Sequence, residues 1–501
     1  MSNVYKVKSK SGILILVVVI MVSGITAILG RVLSIAIPAI QKDFQADIME
    51  IQWVFNLGLI VIAVFTMISG AVSDKYGIKK IFISGIIIFA LGCICSGLST
   101  RIEFLIYSQG LCGLGVVLMG PCSLAIINSC FEDDEKSRAT GIWVGIGAFF
   151  GVAGLLFGGY MVEYWGWRIP FFCIAGLSAF TLILAMLQIP NIEANSSIRL
   201  VPFHALTLAI GLLGISYILI YFSDFDWQDL RFITASLIGF FGILAFIYFQ
   251  STLKSPLIPK AILQENELIW SNILTFLFYF TLNGLYIYAI LNFQDQYHFS
   301  PSEAGLAMLP PSLMVALFAS PLGKYSDRYG IKWFIVFGSF FAGIGFLGLA
   351  YLNTSIHYFP DLLLPLILIG LGMVLFVAPV TKGAMSKHKR NAGAASGLNN
   401  TIARISGLFA VAILGLIWSR GYEYQIELSE NMIGIDSVKI FGNYEIPSNL
   451  NLIEQQNLEQ VIISALNHGF KIIMLVSAGL AFLATVLSFF FLKSPTIKSL
   501  D

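Results

Sequence analysis

Charged residues are scarce in this chain of 501 residues. Asp, Glu, Lys and Arg make up 11% of the sequence, whereas hydrophobic residues make up 57% and the mean hydropathy is +0.85. Soluble globular proteins carry about 25% charged residues. So much apolar surface cannot be hidden in a soluble core, so the composition predicts a polytopic membrane protein. The net charge of only +1 argues against a nucleic-acid partner.

Cysteine is also rare, and the usual signatures of catalysis are missing. The six cysteines lie in or beside apolar segments and show neither a disulfide framework nor metal-ligand spacing. The sequence has no glycine-rich nucleotide-binding loop and no nucleophile–base constellation within its apolar segments. We therefore expect no enzyme activity, no cofactor and no metal site.

Long apolar runs dominate what is present. A helix needs roughly 20 apolar residues to cross a bilayer. Lipid satisfies no backbone hydrogen bonds, so such runs should be helices. The sequence predicts an all-α protein with fourteen spans, at about 13–40, 52–73, 80–98, 104–129, 140–162, 168–189, 201–222, 232–250, 268–292, 303–323, 333–352, 361–381, 393–418 and 469–492.

The lysines and arginines predict the orientation. Most of the 29 lie in loops on one side if the N-terminus is cytoplasmic. Cytoplasmic loops are enriched in these residues, so both termini should be cytoplasmic in a cell membrane, with the bacterial inner membrane as the expected location. The first apolar run is too long for a cleavable signal peptide and lacks a small-residue cleavage pattern.

One short stretch occurs twice. "GAVSDKYGIKK" begins at Gly70 and "GKYSDRYGIKW" begins at Gly323, each after an even-numbered span. Internal repeats of this kind are typical of secondary transporters, whose substrate sites lie between the halves near midplane. The repeat predicts two six-helix halves, at 1–190 and 268–501, around two extra central helices at 191–267. A polar outer loop that contains a short helix near 450–465 is expected at about 420–467.

The repeated loop resembles the signature loop of the major facilitator superfamily. The fourteen spans resemble its drug:proton antiporter branch, and the glycines of the fifth span resemble that branch's antiporter motif. The resemblance implies a secondary active exporter that works by alternating access. It also implies that Arg138 pairs with the loop carrying Asp74 in a cytoplasmic gate. The residues assigned to the gate and to the glycine motif are Gly70, Asp74, Gly77, Lys79, Arg138, Gly323, Asp327 and Gly330, and Gly151, Gly154, Gly158 and Gly159.

The charges within the spans indicate the class of substrate. The predicted spans hold no carboxylate at mid-membrane, but they hold Arg31 and Arg404, and Leu29 stands where the branch usually has an aspartate. An ionisable residue inside the membrane marks a functional site by default. Two arginines suit an anion held by bidentate hydrogen bonds, such as a carboxylate siderophore. We expect the substrate path to contain Arg31, Arg404, Gln109, Asn283 and Asn400.

Other interpretations stay open. Each arginine could instead satisfy helix-end carbonyls or hold two helices together. The alternative function within transport is proton-coupled multidrug efflux, and the alternative of another class is a transporter-like receptor. Asp295, at the outer end of the ninth span, is the candidate proton carrier. The expected partners are a small-molecule substrate, membrane lipid and protons, and the expected oligomeric state is a monomer.

Overall fold

The protein is almost entirely helical in the parts that the structure, a computed structural model, describes. These are residues 5–132, 135–191, 202–222, 229–252, 256, 258–353, 357–385, 392–433 and 452–492. The helices are α1 Lys10–Phe44, α2 Ile48–Tyr76, α3 Ile78–Gly97, α4 Ile102–Cys130, α5 Lys136–Trp165, α6 Ile169–Gln188, α7 Pro202–Ile220, α8 Leu230–Thr252, α9 Asn266–Gly284, α10 Ile290–Asp295, α11 Pro301–Ala307, α12 Leu309–Tyr329, α13 Lys332–Ala350, α14 Leu363–Gly383, α15 Ala392–Ile433 and α16 Leu452–Phe491. A π-helical turn, Leu285–Ala289, joins α9 to α10.

The described residues contain 12 or 13 candidate membrane spans, so the predicted count of fourteen is not confirmed. Twelve described helices are long and apolar enough to cross a bilayer, and the α11–α12 pair, bent by 41°, gives a thirteenth. The apolar part of α7, Leu206–Ile220, is shorter than a full span. The all-α polytopic fold predicted from composition is confirmed, and its exact span count is not.

Local sequence explains where several helices begin. Asp47 accepts from the backbone N–H of Glu50, and the Glu50 carboxylate accepts in return from the Asp47 N–H. Ser300 and Glu303 form the same reciprocal pair at the start of α11. These capping boxes satisfy backbone donors that have no partner within the helix.

The two copies of the repeated stretch have the same local structure. The Ser73 hydroxyl donates to the Gly70 carbonyl at 2.7 Å, and the Ser326 hydroxyl donates to the Gly323 carbonyl at 2.7 Å. The next glycine of each copy, Gly77 with φ of 98° and Gly330 with φ of 83°, ends its helix in a backbone conformation that side-chain-bearing residues rarely adopt. The repeat in sequence is therefore a repeat in structure.

The central helices α7 and α8 pack tightly against each other. A Cβ atom on Gly214 would lie 2.5 Å from the Gly239 nitrogen, and one on Gly242 would lie 2.5 Å from the Gly211 nitrogen. Small residues allow such close backbone contact, which is the usual way helices associate in lipid. The predicted linkers on either side of this pair include 192–201 and 253–257. Of these residues, only 256 is among the described ones.

The predicted polar loop at 420–467 is largely helical where it is described. Helix α15 continues to Ile433 and α16 begins at Leu452, while 434–451 lies outside the described residues. The 42 residues of α15 span about 63 Å at about 1.5 Å per residue, against about 30 Å of hydrocarbon. The extension holds together because Tyr422 on α15 and Leu458, Ile462 and Leu466 on α16 are buried in one core.

The two halves meet in close backbone contact near one end of the molecule. We call the end where α1 starts the N-terminal face and the end where α1 finishes the far face. A Cβ atom on Gly305 would lie 2.4 Å from the Leu155 carbonyl oxygen, and one on Gly159 would lie 2.6 Å from the Pro301 carbonyl oxygen. These contacts join α5 of the first half to α11 of the second half on the far-face side.

Hydrogen bonds reinforce the same closure. The Glu163 carboxylate accepts from the Ser302 backbone N–H at 3.2 Å and also from its hydroxyl, and Gln294 donates to the Ile35 carbonyl at 3.0 Å. Towards the N-terminal face, by contrast, a Cβ atom on Gly145 would meet nothing within 4 Å. The halves are therefore joined at the far face, whereas this part of α5 faces open space.

Candidate functional site: the cavity between the halves

A cavity of about 490 Å³ lies between the two halves. Its walls come from α1, α2, α4 and α5 on one side and from α9, the π-helical turn, α12, α14 and α15 on the other. The α1 residues that line it fall between Thr26 and Ser34, near the middle of the helix. Its position between halves and at mid-depth is where secondary transporters bind substrate.

The structure brings together four of the five residues predicted to contact substrate. Arg31, Arg404, Gln109 and Asn283 all line the cavity. Asn400 does not line it: its side chain is exposed and donates to the Ser396 carbonyl of its own helix at 3.0 Å. The placement of Asn400 on the substrate path therefore stays a prediction, outside the cavity lining of this structure.

Arg31 is held by an aromatic ring from the opposite half. Its guanidinium carbon lies 3.4 Å from the ring centroid of Tyr286, and the Tyr286 hydroxyl is 2.9 Å from the Ser312 hydroxyl. Stacking occupies one face of the planar guanidinium and leaves its N–H edges available for planar acceptors. The pair therefore positions a bidentate donor in the cavity wall.

The cavity has no acidic side chain to balance its two arginines. No Asp or Glu is among the described residues that line it. Within the described part of the chain, neither Arg31 nor Arg404 forms an ion pair. The Arg404 side chain is exposed to the open space between the halves. The site is therefore electropositive and suited to an anion.

The polar neighbours keep their acceptor oxygens available. Gln109 donates through Nε2 to the Ser96 hydroxyl at 2.8 Å, and Asn283 donates through Nδ2 to the Tyr279 carbonyl at 2.7 Å. Sequence reasoning did not place Tyr286 or Ser312 in the site. Tyr286 follows Asn283 by three residues, which puts both on one helix face and would have been the signal.

The four glycines of the α5 motif lie in three different surroundings. A Cβ atom on Gly154 would lie 3.0 Å from the Cα atom of Ile28, and one on Gly158 would lie 2.8 Å from a methyl carbon of Val32, so both allow α1 to approach. Gly159 approaches the opposite half, as described above. Gly151 lines the cavity, and a Cβ there would meet nothing within 4 Å.

The predicted gate is not assembled in this structure. Arg138 lies 3.7 Å from Glu135 on its own helix end and forms no ion pair with Asp74. Lys79 donates to the Met186 carbonyl at 3.0 Å, which ties α3 to α6 within one half. Asp74 is exposed at the N-terminal face, and partial burial raises the pKa of its carboxyl group above the usual value. Arg138 and Asp74, which both belong to the first half, are therefore not paired in this structure, and their pairing in a gate stays a prediction.

The remaining predicted residues lie at the two ends of the molecule. The Asp327 side chain lies outside the described residues, although its backbone belongs to α12. Asp295 ends α10 near the far face, outside the cavity lining, and within the described part of the chain it forms no ion pair.

Comparison with known proteins identifies the family. A model of the Major Facilitator Superfamily matches residues 16–411. The multidrug resistance protein Stp of Mycobacterium tuberculosis (strain CDC 1551 / Oshkosh) is 28% identical over 393 residues, which cover 77% of this chain and 72% of the relative. The tetracenomycin C resistance and export protein of Streptomyces glaucescens is 26% identical over 404 residues, with coverage of 77% and 72%. The puromycin resistance protein pur8 of Streptomyces alboniger is 26% identical over 407 residues, with coverage of 80% and 81%.

Solved structures share the fold. A bacterial homolog of the human lysosomal transporter Spinster, in an inward-facing and occupied conformation, has a TM-score of 0.62 at 14% identity and covers 95% of each chain. The nucleoside transporter NupG has a TM-score of 0.60 at 13% identity and covers 97% of this chain and 100% of its own. The chain is a multi-pass membrane transporter of small molecules, not an enzyme, and it belongs to the Major Facilitator Superfamily.

Proposed function

We propose that the protein is a secondary active exporter of an anionic, carboxylate-bearing small molecule, of which a carboxylate siderophore is one example. The observation that carries this proposal is the charge of the cavity: two arginines from opposite halves line it, and its described lining has no carboxylate. Buried carboxylates would be needed to attract a hydrophobic cation. An anion would instead receive charge-assisted hydrogen bonds from both halves at once.

The geometry supports alternating access. The halves touch near the far face through Gly305 and Leu155, and Gly145 on α5 faces open space towards the N-terminal face. With both termini in the cytoplasm of a bacterial cell, this arrangement is a state open to the cytoplasm, ready to load substrate for export. We place proton coupling at Asp295, the carboxylate that ends α10, and we take the working unit to be a monomer.

Proton-coupled multidrug efflux is the second candidate function. It is favoured by the relatives, whose names describe multidrug, tetracenomycin C and puromycin resistance. The two candidates differ in the sign of the charge that the cavity must accept. A transport experiment with one anion and one cation therefore separates them.

The test uses purified protein in liposomes with an imposed pH gradient. We expect flux of a citrate-type carboxylate and none of a lipophilic cationic dye, because only the anion complements Arg31 and Arg404. Arg31→Ala should reduce anion flux, since loss of a hydrogen bond to a charged group costs about 1.5–3 kcal/mol. That cost corresponds to about a ten- to hundredfold higher half-saturation concentration.

The matched control is Arg420→Ala. Arg420 is an exposed arginine that pairs with Glu423 at 3.4 Å on the far-face extension, away from the cavity. This variant should transport like the unchanged protein. If the dye is transported and Arg31→Ala does not reduce transport, the anion proposal is rejected and drug efflux is established instead.

A further inference from the structure

Two cysteine thiols lie side by side where α3 crosses α4. The sulfur atoms of Cys93 and Cys112 are 3.9 Å apart, and the residues are 0% and 2% exposed. Gly92 brings the helices together: a Cβ atom there would lie 2.7 Å from the Cys112 sulfur and 2.8 Å from its backbone nitrogen. The sequence alone indicated only small packing residues at these positions, since the cysteines are 19 residues apart.

The thiol pair belongs to the wall of the transport cavity. Cys112 lines the cavity together with Gln109 and Gly113. One turn away, the hydrogen bond between Gln109 and Ser96 joins the same two helices. Among the residues that the structure describes, no other two thiols are in contact. The pair is therefore a distinct dithiol in which Cys112 borders the cavity and Cys93 lies buried behind it.

The spacing and the surroundings indicate what could bind. The two sulfur atoms are 3.9 Å apart, within the roughly 4.6 Å that two bonds of about 2.3 Å from sulfur to one shared atom can span. A structural zinc ion needs four ligands, but the described residues contain no group of three His, Cys, Asp or Glu side chains able to hold a metal. A disulfide needs a sulfur–sulfur distance of about 2.05 Å and an external oxidant. The pair best fits an electrophile that bonds two thiolates and carries its own third substituent.

We propose that Cys93 and Cys112 form a two-thiol binding site, in the wall of the central cavity, for trivalent organoarsenicals and similar soft electrophiles. With an arsonous acid, two S–H bonds and two As–OH bonds break, two S–As bonds form, and two water molecules leave. No electrons are transferred, so no oxidant or reductant is needed. The adduct links α3 to α4 and places the organic substituent of arsenic beside the cavity. This site does not depend on which substrate the protein carries.

The test is intact-mass spectrometry of the full-length protein in detergent after treatment with phenylarsine oxide. We expect an adduct that survives an excess of a monothiol and is removed by 2,3-dimercaptopropanol, which is the signature of two bonded thiols. Cys93→Ser and Cys112→Ser should each lose the adduct that resists the monothiol. Cys122→Ser is the matched control, because Cys122 is equally buried on α4 and has no thiol in contact. It should keep the adduct.

A second measurement guards against misfolded variants. Phenylarsine oxide should raise the thermal unfolding temperature of the unchanged protein and of Cys122→Ser, because the adduct ties two helices together. It should not raise that of Cys93→Ala or Cys112→Ala, which keep a small apolar side chain at these sites. A monothiol-resistant adduct in either single variant, or none in the folded unchanged protein, would overturn the proposal.

Discussion

Single side chains decide the chemistry of the cavity. Arg31 reaches it from α1, and Tyr286 of the opposite half stacks on its guanidinium at 3.4 Å. The Tyr286 hydroxyl is in turn 2.9 Å from Ser312. An arginine fixed in this way loses less conformational freedom when it binds an anion than a mobile one does. The affinity for the substrate should therefore depend on Tyr286 as well as on Arg31.

The first prediction separates the ring of Tyr286 from its hydroxyl. Tyr286→Leu removes the stacking, worth about 0.5–2 kcal/mol, and should raise the half-saturation concentration of the transported anion about two- to thirtyfold. Tyr286→Phe keeps the ring and should have a smaller effect. Initial uptake rates in liposomes measure both variants. Equal losses in the two variants would show that the hydroxyl, and not the stacked ring, matters.

The second prediction concerns proton coupling through Asp295. Asp295→Asn cannot release a proton, so it should abolish transport driven by a pH gradient while substrate exchange without a gradient continues. Both activities are measured in the same liposomes. Asp229→Asn is the control, because Asp229 is a carboxylate paired with Arg231 at 2.9 Å beside α8. Gradient-driven transport by Asp295→Asn at the normal rate would remove Asp295 from the coupling mechanism.

At the scale of elements, glycines decide how closely helices approach. On α5, Gly154 and Gly158 face α1, whereas Gly159 faces the opposite half. The same helix therefore holds its own half together and closes the far face. Gly305 on α11 makes the reciprocal contact. A Cβ atom on this residue would lie 2.4 Å from the Leu155 carbonyl oxygen. Backbone atoms cannot move aside as a flexible side chain can.

The third prediction tests that closure. Gly305→Ala should destabilise the state closed at the far face by about 1–3 kcal/mol, the usual range for overpacking, and should slow turnover about five- to hundredfold. Gly151→Ala should transport normally, because its Cβ would meet nothing within 4 Å. Turnover in liposomes at saturating substrate measures both. A normal rate for Gly305→Ala would mean that the far-face contact does not limit the cycle.

At the scale of the whole molecule, two halves with the same repeated loop enclose one cavity. The contacts between α5 and α11 close the far face, and Gly145 on α5 faces open space towards the N-terminal face. Helices α7 and α8 pack on each other through paired glycines and contribute no lining to the cavity among the described residues. We therefore expect the two halves to move relative to each other during transport.

The fourth prediction maps the open side. In a background without native cysteines, Gly151→Cys should react with a water-soluble thiol reagent at least about tenfold faster than Leu155→Cys. Gly151 lines the cavity, whereas Leu155, one turn along α5, is 0% exposed. Reagent added on the cytoplasmic side of sealed vesicles should label Gly151→Cys first. Labelling only from the other side would reverse the orientation that we assign to the structure.

Much of the fold could be predicted because its determinants are local. The apolar composition requires a membrane-embedded helical protein, and the repeat at Gly70 and Gly323 carries its own turn through Gly77 and Gly330. The full helical extensions of α15 and α16 were not predicted, since only a short helix near 450–465 was expected. Their polar outer surfaces hide a narrow buried stripe that includes Tyr422, and a narrow stripe gives only a weak signal in sequence.

The sequence by itself determined the class of protein, the repeated loop and the presence of two arginines in predicted spans that hold no mid-membrane carboxylate, because these follow from composition and short motifs. Only the tertiary structure decided which residues share the cavity. Asn399 and Asn400 are neighbours in sequence, yet Asn399 bonds to Asn272 and Thr275 on α9 while Asn400 is exposed. Successive residues on a helix point about 100° apart. Packing between distant helices, as between Arg31 and Tyr286 or Cys93 and Cys112, therefore determines which side chains meet.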